Sequence, residues 1–477
     1  MSGPKILLVA SEALPFVKTG GLADVVGALP KYLTALGADV RVMIPKHSVV
    51  KERYQDELEQ VAVSEVHLGW RRKYLGIQTM VLDGIRYYFI DNEDYFSGPV
   101  YRGGDAESEQ YMYFCRAVLE SVKLIDFTPD VIHCNDWQTG MIPMLLRTQY
   151  GLTAMNSIRT VFTIHNIKFQ GMMGFGLMQD VLEIPDRYYA PRYVEANGCA
   201  NMMKAGLVFA DRITTVSPTY AKEILHPYFG MGMEGMLHAR RADLVGIVNG
   251  IDVGEFDPRR DPALAVNYDT ESMNLKWENK KTLRNRFGLK ASIYDPVICM
   301  VTRMTPQKGL DLVQNVLEEL LHSDLSFVLL GSGDRKYVNF FNYIAGKYPG
   351  KAGIYIGYSE ELARQIYAGG DFLLMPSQFE PCGLSQMIAQ RYGTLPIVRE
   401  TGGLVDTVVP YNRFTKEGDG FSFGAFNAHD MQHVIRLALE VFRDKPTLNR
   451  LKKNAMLKDN SFMGSAKQYL DLYEEIG

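Results

Sequence analysis

The chain has 477 residues, 47% of them hydrophobic and 22% charged, with 51 Lys and Arg against 55 Asp and Glu. At roughly 100–200 residues per domain, this length predicts two to four domains, and the apolar content excludes both disorder and a disulfide-stapled mini-fold. A net charge of -4 argues against a generic nucleic-acid or polyanion binder. The cysteines Cys115, Cys134, Cys199, Cys299 and Cys382 are widely spaced and form no CxxC pair. A reducing compartment is therefore expected, rather than a zinc site or a disulfide framework. The opening MSGPKILLVA is too short an apolar run for a signal-peptide core, and no later stretch reaches about 18 uninterrupted apolar residues. The expectation is a cytoplasmic protein with neither a membrane nor a nucleic acid as partner.

In chain order, Ile6–Ala10, Val40–Ile44, Val131–His133, Thr160–Ile164 and Arg212–Val216 read as buried strands. Helix-like stretches such as Gly21–Leu36 and Gly140–Thr148 stand between them. Val- and Ile-rich strands alternating with helices predict α/β architecture, with parallel sheets covered on both faces. Trp70–Tyr101 is aromatic and strand-like, and reads as an antiparallel hairpin added to the first domain. Residues 249–262, NGIDVGEFDPRRDP, are dense in Gly, Asp and Pro and read as an interdomain linker. The pattern then restarts with Val297–Thr302, Ser326–Leu330, Ile354–Ile356, Phe372–Met375 and Leu395–Val398. The expected division is two doubly wound domains, 1–248 and 263–460, with a terminal helix at 461–477 able to pack on either.

Chemistry concentrates where strands end. After the first strand comes Lys18, then Gly20 and Gly21 at a helix start, where N–H groups and a cation can meet an anion. The spacing is neither Walker A nor a dinucleotide fingerprint, so an ordinary strand–helix turn is the competing reading. HCNDWQTG and FTIHN place Asp136, His165 and Asn166 at successive strand ends, where open α/β sheets bind ligands. In VTRMTPQKGLDLV, Arg303 and Lys308 suit a diphosphate whose charge grows as it leaves, with solvated surface cations as the alternative. MPSQFEPCGLSQ carries Glu380 in a constrained loop, and Gly383 offers backbone donors near the next helix. Cys382 has no base nearby in sequence and reads as a packed or ligand-contacting thiol. TGGLADVV at 19–26 and TGGLVDTV at 401–408 agree at six of eight positions. Chance between Gly-rich turns, or a helix start presented by each domain to a shared cleft, would both explain the echo. No D-x-D or HExxH occurs, so no metal is expected, and a nucleophile-elbow hydrolase is set aside.

Taken together, KTGGLADV, HCNDW, HN at 165–166, VNGID, R-x-T-x-Q-K-G-L-D-L, FEPCGL, YGTLPIV and TGGLVDTV resemble, in this order, the bacterial glycogen synthases and plant starch synthases. The resemblance implies a GT-B fold, two Rossmann-like domains facing across a deep cleft, with the acceptor side in the first and the donor side in the second. It implies glucose transfer from ADP-glucose to the non-reducing end of an α-1,4-glucan, with the α configuration retained. The partners implied are a nucleotide sugar and glycogen, with no metal or other cofactor, and the oligomeric state stays open. By the same resemblance, Glu380, Arg303, Lys308, His165 and Asp136 carry the chemistry. Lys18, Gly20, Gly21, Asn166, Asn249, Cys382, Gly383, Leu384, Thr401, Gly402 and Gly403 bind the donor. Position 388 is Ile where many retaining GT-B enzymes have a second Glu, so a two-carboxylate mechanism is not supported. Front-face displacement is expected instead. UDP-glucose or another acceptor is the alternative; a nucleotide-dependent oxidoreductase would need a G-x-G-x-x-G turn after the first strand, which reads SEALPFVKTGG. A silent glucan-binding protein is disfavoured by the intact Lys18, Arg303, Lys308 and Glu380.

Overall fold

A run such as KILLV, with no polar alternation, suits only a strand covered on both faces, and β1 (Lys5–Val9) is buried from Ile6 onward. The computed structural model of the chain describes residues 3–477 and divides into two units, Met1–Asn249 with Phe462–Gly477, and Gly250–Ser461. The first unit continues with β2 (Asp39–Pro45), β3 (Glu59–Leu68), β4 (Arg71–Leu82), β5 (Ile85–Asp91), β6 (Val131–Asn135) and β7 (Arg159–Ile164). The short β8 (Met172–Met173), β9 (Glu195–Ala196) and β10 (Cys199–Asn201) form a separate small sheet, followed by β11 (Arg212–Thr215) and β12 (Leu244–Gly246). Its main sheet has nine strands in the order β12-β11-β7-β6-β1-β2-β5-β4-β3. All neighbours are parallel except β3–β4 and β4–β5.

The expected hairpin is β4–β5, closed at Asp83-Gly84, where both residues have positive φ as a two-residue turn requires. The antiparallel addition is larger than expected. It starts at Glu59: β3 is an edge strand with apolar residues at five of its ten positions, but most of its side chains, Val61 and Val63 included, are exposed. It also ends earlier, since Glu93–Phe96 is a helical turn capped by the Asn92 side chain. The helix Met463–Ile476 packs in this unit: Phe462, Ala466, Tyr469, Leu472 and Tyr473 share one core with Ile6, Leu8, Val26 and Leu29.

The second unit holds β13 (Val297–Val301), β14 (Ser326–Gly331), β15 (Ala352–Ile356), β16 (Phe372–Met375), β17 (Leu395–Arg399) and β18 (Phe421–Phe423). They form a parallel six-stranded sheet in the order β15-β14-β13-β16-β17-β18. Residues 250–262 are not a free linker but part of this unit. Asp257 and Asp261 are buried, Asp257 pairing with Arg259 at 2.6 Å and Asp261 accepting from the Tyr392 hydroxyl. Arg364 adds a 2.6 Å pair to Glu255. A composition rich in Gly, Asp and Pro here signals a packed, ion-paired loop.

Beneath the sheet, Asp371 is buried with Lys280 at 2.7 Å and Lys452 at 3.2 Å, and accepts the Val297 N–H. Burial pushes this carboxyl up, but the two ammonium groups outweigh it and hold it well below the usual carboxylate range. Removing the charge strands two buried lysines. Asp371→Asn is expected to cost about 3–5 kcal/mol of unfolding free energy, measured by urea denaturation; a loss under about 1 kcal/mol would contradict this account.

Candidate functional site

Each main sheet reverses the order of its parallel strands at one point, and side chains beyond the carboxyl ends there can converge on a ligand. In the first unit the reversal falls between β1 and β6, since β1 has β2 on one side and β6 on the other. The loop after β1 carries Glu12, Lys18, Thr19 and Gly20 into the helix Gly21–Ala35. Glu12 is 2% exposed, and its Oε2 accepts from the Thr19 N–H at 2.5 Å and the Thr19 hydroxyl at 2.6 Å. Burial pushes its carboxyl up to about 7 against those bonds. Lys18 Nζ lies 2.7 Å from Asp24 Oδ1 on the first turn of the helix.

Asp136 follows β6 with φ +58, a left-handed conformation uncommon for a residue with a β-carbon. Its Oδ1 accepts the N–H groups of His165 at 2.7 Å and Asn166 at 3.3 Å, tying the end of β6 to the end of β7. Burial raises the Asp136 carboxyl to about 7, Glu12 adds to the rise, and the two N–H bonds oppose it. Asn135 donates to the Val9 carbonyl at 3.0 Å, so its amide oxygen is left to accept from His165 Nε2 at 2.8 Å. The imidazole therefore carries its proton on Nε2, and burial lowers its pKa to about 3. His133, by contrast, is structural: it is buried between Tyr473 and Thr163, each at 2.6 Å.

In the second unit the reversal falls between β13 and β16. The loop after β13 contains the exposed Arg303 and the 3-10 turn Pro306–Lys308. The loop after β16 contains Ser377 and the buried Glu380. Lys308 Nζ stands 2.6 Å from Glu380 Oε2, which also accepts the Ser377 hydroxyl at 2.9 Å. Gln307 and Gln378 join the loops further: the Gln378 N–H donates to the Gln307 carbonyl at 2.8 Å, and the Gln307 side chain donates to the Phe379 carbonyl at 3.3 Å. A β-carbon on Gly309, which has φ +68, would lie 1.9 Å from the Pro376 carbonyl oxygen, so only glycine permits this approach. Likewise a β-carbon on Gly402 would meet the Glu380 carbonyl oxygen at 2.0 Å. The Gly403 N–H donates to that same carbonyl at 3.1 Å.

The structure thus brings Lys18, Gly20, Gly21, Asp136, His165 and Asn166 to strand ends of the first unit. Arg303, Lys308, Glu380, Cys382, Gly383, Leu384, Thr401, Gly402 and Gly403 lie at strand ends of the second. Cys382 is buried under Gly403, a packed thiol. Thr401 is also buried, and its turn supports the backbone of residues 380–382. Asn249 is the last residue of the first unit's long segment, buried with Oδ1 lacking a hydrogen-bond partner among the described residues. Sequence reasoning missed Glu12, Asn135, Ser377 and Gln307, four polar residues in or after the strands that nothing local singles out. It also passed over the G-x-S-x-G string at 420–424. Ser422 lies within β18 rather than at a strand-to-helix elbow, and donates to Glu400 at 2.7 Å. Among the described residues, no three His, Cys, Asp or Glu side chains gather as metal ligands would, and no helix is long and apolar enough to cross a membrane.

Residues 5–239 match the family described as starch synthase catalytic domain, and residues 282–458 match glycosyl transferases group 1. A glycogen synthase of Geobacillus thermodenitrificans is 52% identical over 473 residues, covering 99% of this chain and 98% of that protein. The catalytic domain of starch synthase IV from Arabidopsis thaliana, solved with ADP and acarbose, superposes with a TM-score of 0.92 at 31% identity, covering 100% of this chain and 99% of that one. A sucrose-phosphate synthase from Thermosynechococcus elongatus shares the fold at a TM-score of 0.62 and 17% identity, over 99% of each chain.

The imidazole of His165 is expected to stay neutral, in the Nε2–H tautomer, from about pH 5 to 8. Long-range proton–nitrogen NMR checks this, and a titration midpoint near 6 or above would contradict the burial argument.

Proposed function

The chain belongs to the glycogen synthase and starch synthase family, glycosyltransferases of GT-B fold, and from that premise we propose its reaction and the work of its residues. It transfers glucose from ADP-glucose to the non-reducing end of an α-1,4-glucan with retention of the α configuration. The first unit serves the acceptor and lines the transferred glucose; the second grips the nucleotide diphosphate.

The observation that carries this reading is the Lys308–Glu380 pair, 2.6 Å apart at the second unit's strand reversal, with Arg303 exposed on the same loop. A departing diphosphate gains negative charge, and cations already fixed in place stabilise that charge in the transition state more than in the ground state. Glu380, buried and tied to Ser377, holds Lys308 in position and meets the donor sugar. In the first unit a neutral His165 offers a polar ring without adding positive charge beside a developing oxocarbenium ion, and Asn166 joins it at the glucose. Asp136 orients both through their N–H groups and stands nearest the acceptor hydroxyls.

With Ile388 where a partner carboxylate would be, the departing phosphate itself takes the acceptor proton as the new bond forms on the same face. Thr401 with Gly402 and Gly403, and the Gly20–Gly21 turn with Lys18, complete the donor contacts, with Asn249, Cys382, Gly383 and Leu384 beside them. No metal takes part in this scheme. A cytoplasmic location goes with it, supported by five widely spaced cysteines with no CxxC pair.

Incubation with glycogen and labelled ADP-glucose or UDP-glucose, scored as label in polymer, tests the reading. ADP-glucose is expected to be the better donor, and no incorporation from either would reject the function. Lys308→Ala and Arg303→Ala are each expected to lower kcat by about 10²–10³-fold with an unchanged circular dichroism spectrum. Near-normal turnover in both variants would reject the leaving-group assignment, and a covalent glucosyl adduct on Glu380 or Asp136 would reject front-face displacement.

A further inference from the structure

The loop joining β1 to the helix Gly21–Ala35 is held in two different ways. Its middle is anchored by packing: Phe16 stacks edge-on against Tyr54, Tyr87 and Phe89, and the Leu14 N–H donates to the Ala23 carbonyl at 3.0 Å. Its last residues, Lys18 and Thr19, are exposed, and Gly20 half so. Packing cannot fix residues that face solvent, so polar contacts must set their position. The Glu12 carboxylate supplies those of the backbone, since it is buried and takes both the N–H and the hydroxyl of Thr19 on Oε2, while Asp24 meets the Lys18 ammonium at 2.7 Å. Glu12 Oε1 lies 3.7 Å from where a β-carbon on Gly20 would stand, so the carboxyl group spans the underside of the turn.

We propose that Glu12 is the positioning residue of the Lys18–Gly21 turn, its carboxylate setting where Lys18 and the following backbone N–H groups meet the donor. The inference rests on the assignment of that turn to the nucleotide sugar. An ionised acceptor holds two donors more strongly than a neutral one, so the turn is best formed with Glu12 deprotonated. The Lys18 ammonium beside Thr19 is paired with Asp24 at 2.7 Å, and the acids around Glu12 favour a proton on it. Asp24 on the helix and Asp136 after β6 repel its charge, while Tyr101 and Tyr111 stay protonated through neutral pH. Burial acts in the same direction and brings the carboxyl to about 7. The turn therefore tightens as pH rises through neutrality and loosens as pH falls below it.

The test uses the full chain, with glycogen saturating and ADP-glucose varied from pH 6 to 9, a range in which neither phosphate of this diester titrates. Glu12→Ala is expected to raise the ADP-glucose KM at least tenfold at pH 8, with kcat changed less than threefold and the glycogen KM unmoved. Glu12→Gln keeps an acceptor oxygen but cannot titrate. It is expected to show, at every pH from 6 to 9, the raised KM that the wild type reaches at pH 6, and so to lose the wild-type dependence on pH. Thr19→Val, which keeps the N–H and the buried carboxyl, is expected to raise KM less than Glu12→Ala does. If Glu12→Ala fails to fold, the Glu12→Gln and Thr19→Val profiles still decide the matter. A Glu12→Gln profile that keeps the wild-type dependence of KM on pH, or a Glu12→Ala protein with wild-type KM, overturns the proposal. A wild-type protein that transfers glucose from neither ADP-glucose nor UDP-glucose overturns the functional reading and this inference with it. Wild-type transfer with unmoved variants overturns the inference alone.

Discussion

At Gly309, Gly402 and Gly403 a β-carbon would stand 1.9–2.4 Å from backbone atoms of a neighbouring loop, inside any tolerable contact. Three loops of the second unit therefore touch through their main chains, with no side chains between them. This close approach brings Lys308 and Glu380 together although 72 residues separate them. It also gives the pair its rigidity, because backbone in direct contact cannot shift without breaking several hydrogen bonds at once. An arrangement that depends on side-chain packing would tolerate drift of a few tenths of an ångström; this one does not. Charge stabilisation in a transition state requires that kind of preorganisation.

The first unit reaches order by another route. Its strand ends hold a polar network running from the Val9 carbonyl through Asn135 to His165, and from Asp136 to the chain after β7. Burial governs every ionisation there: acids rise toward neutrality and the histidines lose their charge. The result is a site with polar reach but little fixed charge of either sign. The cations at strand ends are Lys18 in this unit and Arg303 and Lys308 in the other. Under the proposed reaction, neutral groups would handle the sugar and cations the diphosphate, a division that net composition conceals.

Much of this was legible in the amino-acid string. Doubly covered strands such as KILLV and VICMV announce themselves because burial on both faces removes polar alternation. The Gly-Gly turns and the residues just past the strands were visible for a related reason: special backbone geometry needs special residues. What escaped notice was context. The edge strand β3 was lost because its apolar residues are split between its two faces, exposed Val61 and Val63 on one and buried Val66 and Leu68 on the other, so they mark no single buried side. Residues 250–262 read as a linker because Asp and Arg look solvated until their pairing across 131 positions, as between Asp261 and Tyr392, is known. Glu12 looked like any surface acid, since nothing local reveals that the fold will close over it. Ser377 and Gln307 are equally silent, their partners being set by loop contacts with no local code.

The return of residues 462–477 to the first unit bears on the order in which the protein can be made. His133 in the centre of that unit's sheet bonds to Tyr473, 340 positions later. A ribosome finishes the whole contiguous second unit before it releases the helix that completes the first core. Until that helix emerges, Ile6, Leu8, Val26 and Leu29 lack the side chains of Phe462, Ala466, Tyr469, Leu472 and Tyr473 that complete their core. Cutting the chain just before Phe462 would therefore remove part of the first unit's core while leaving the second unit's sequence whole.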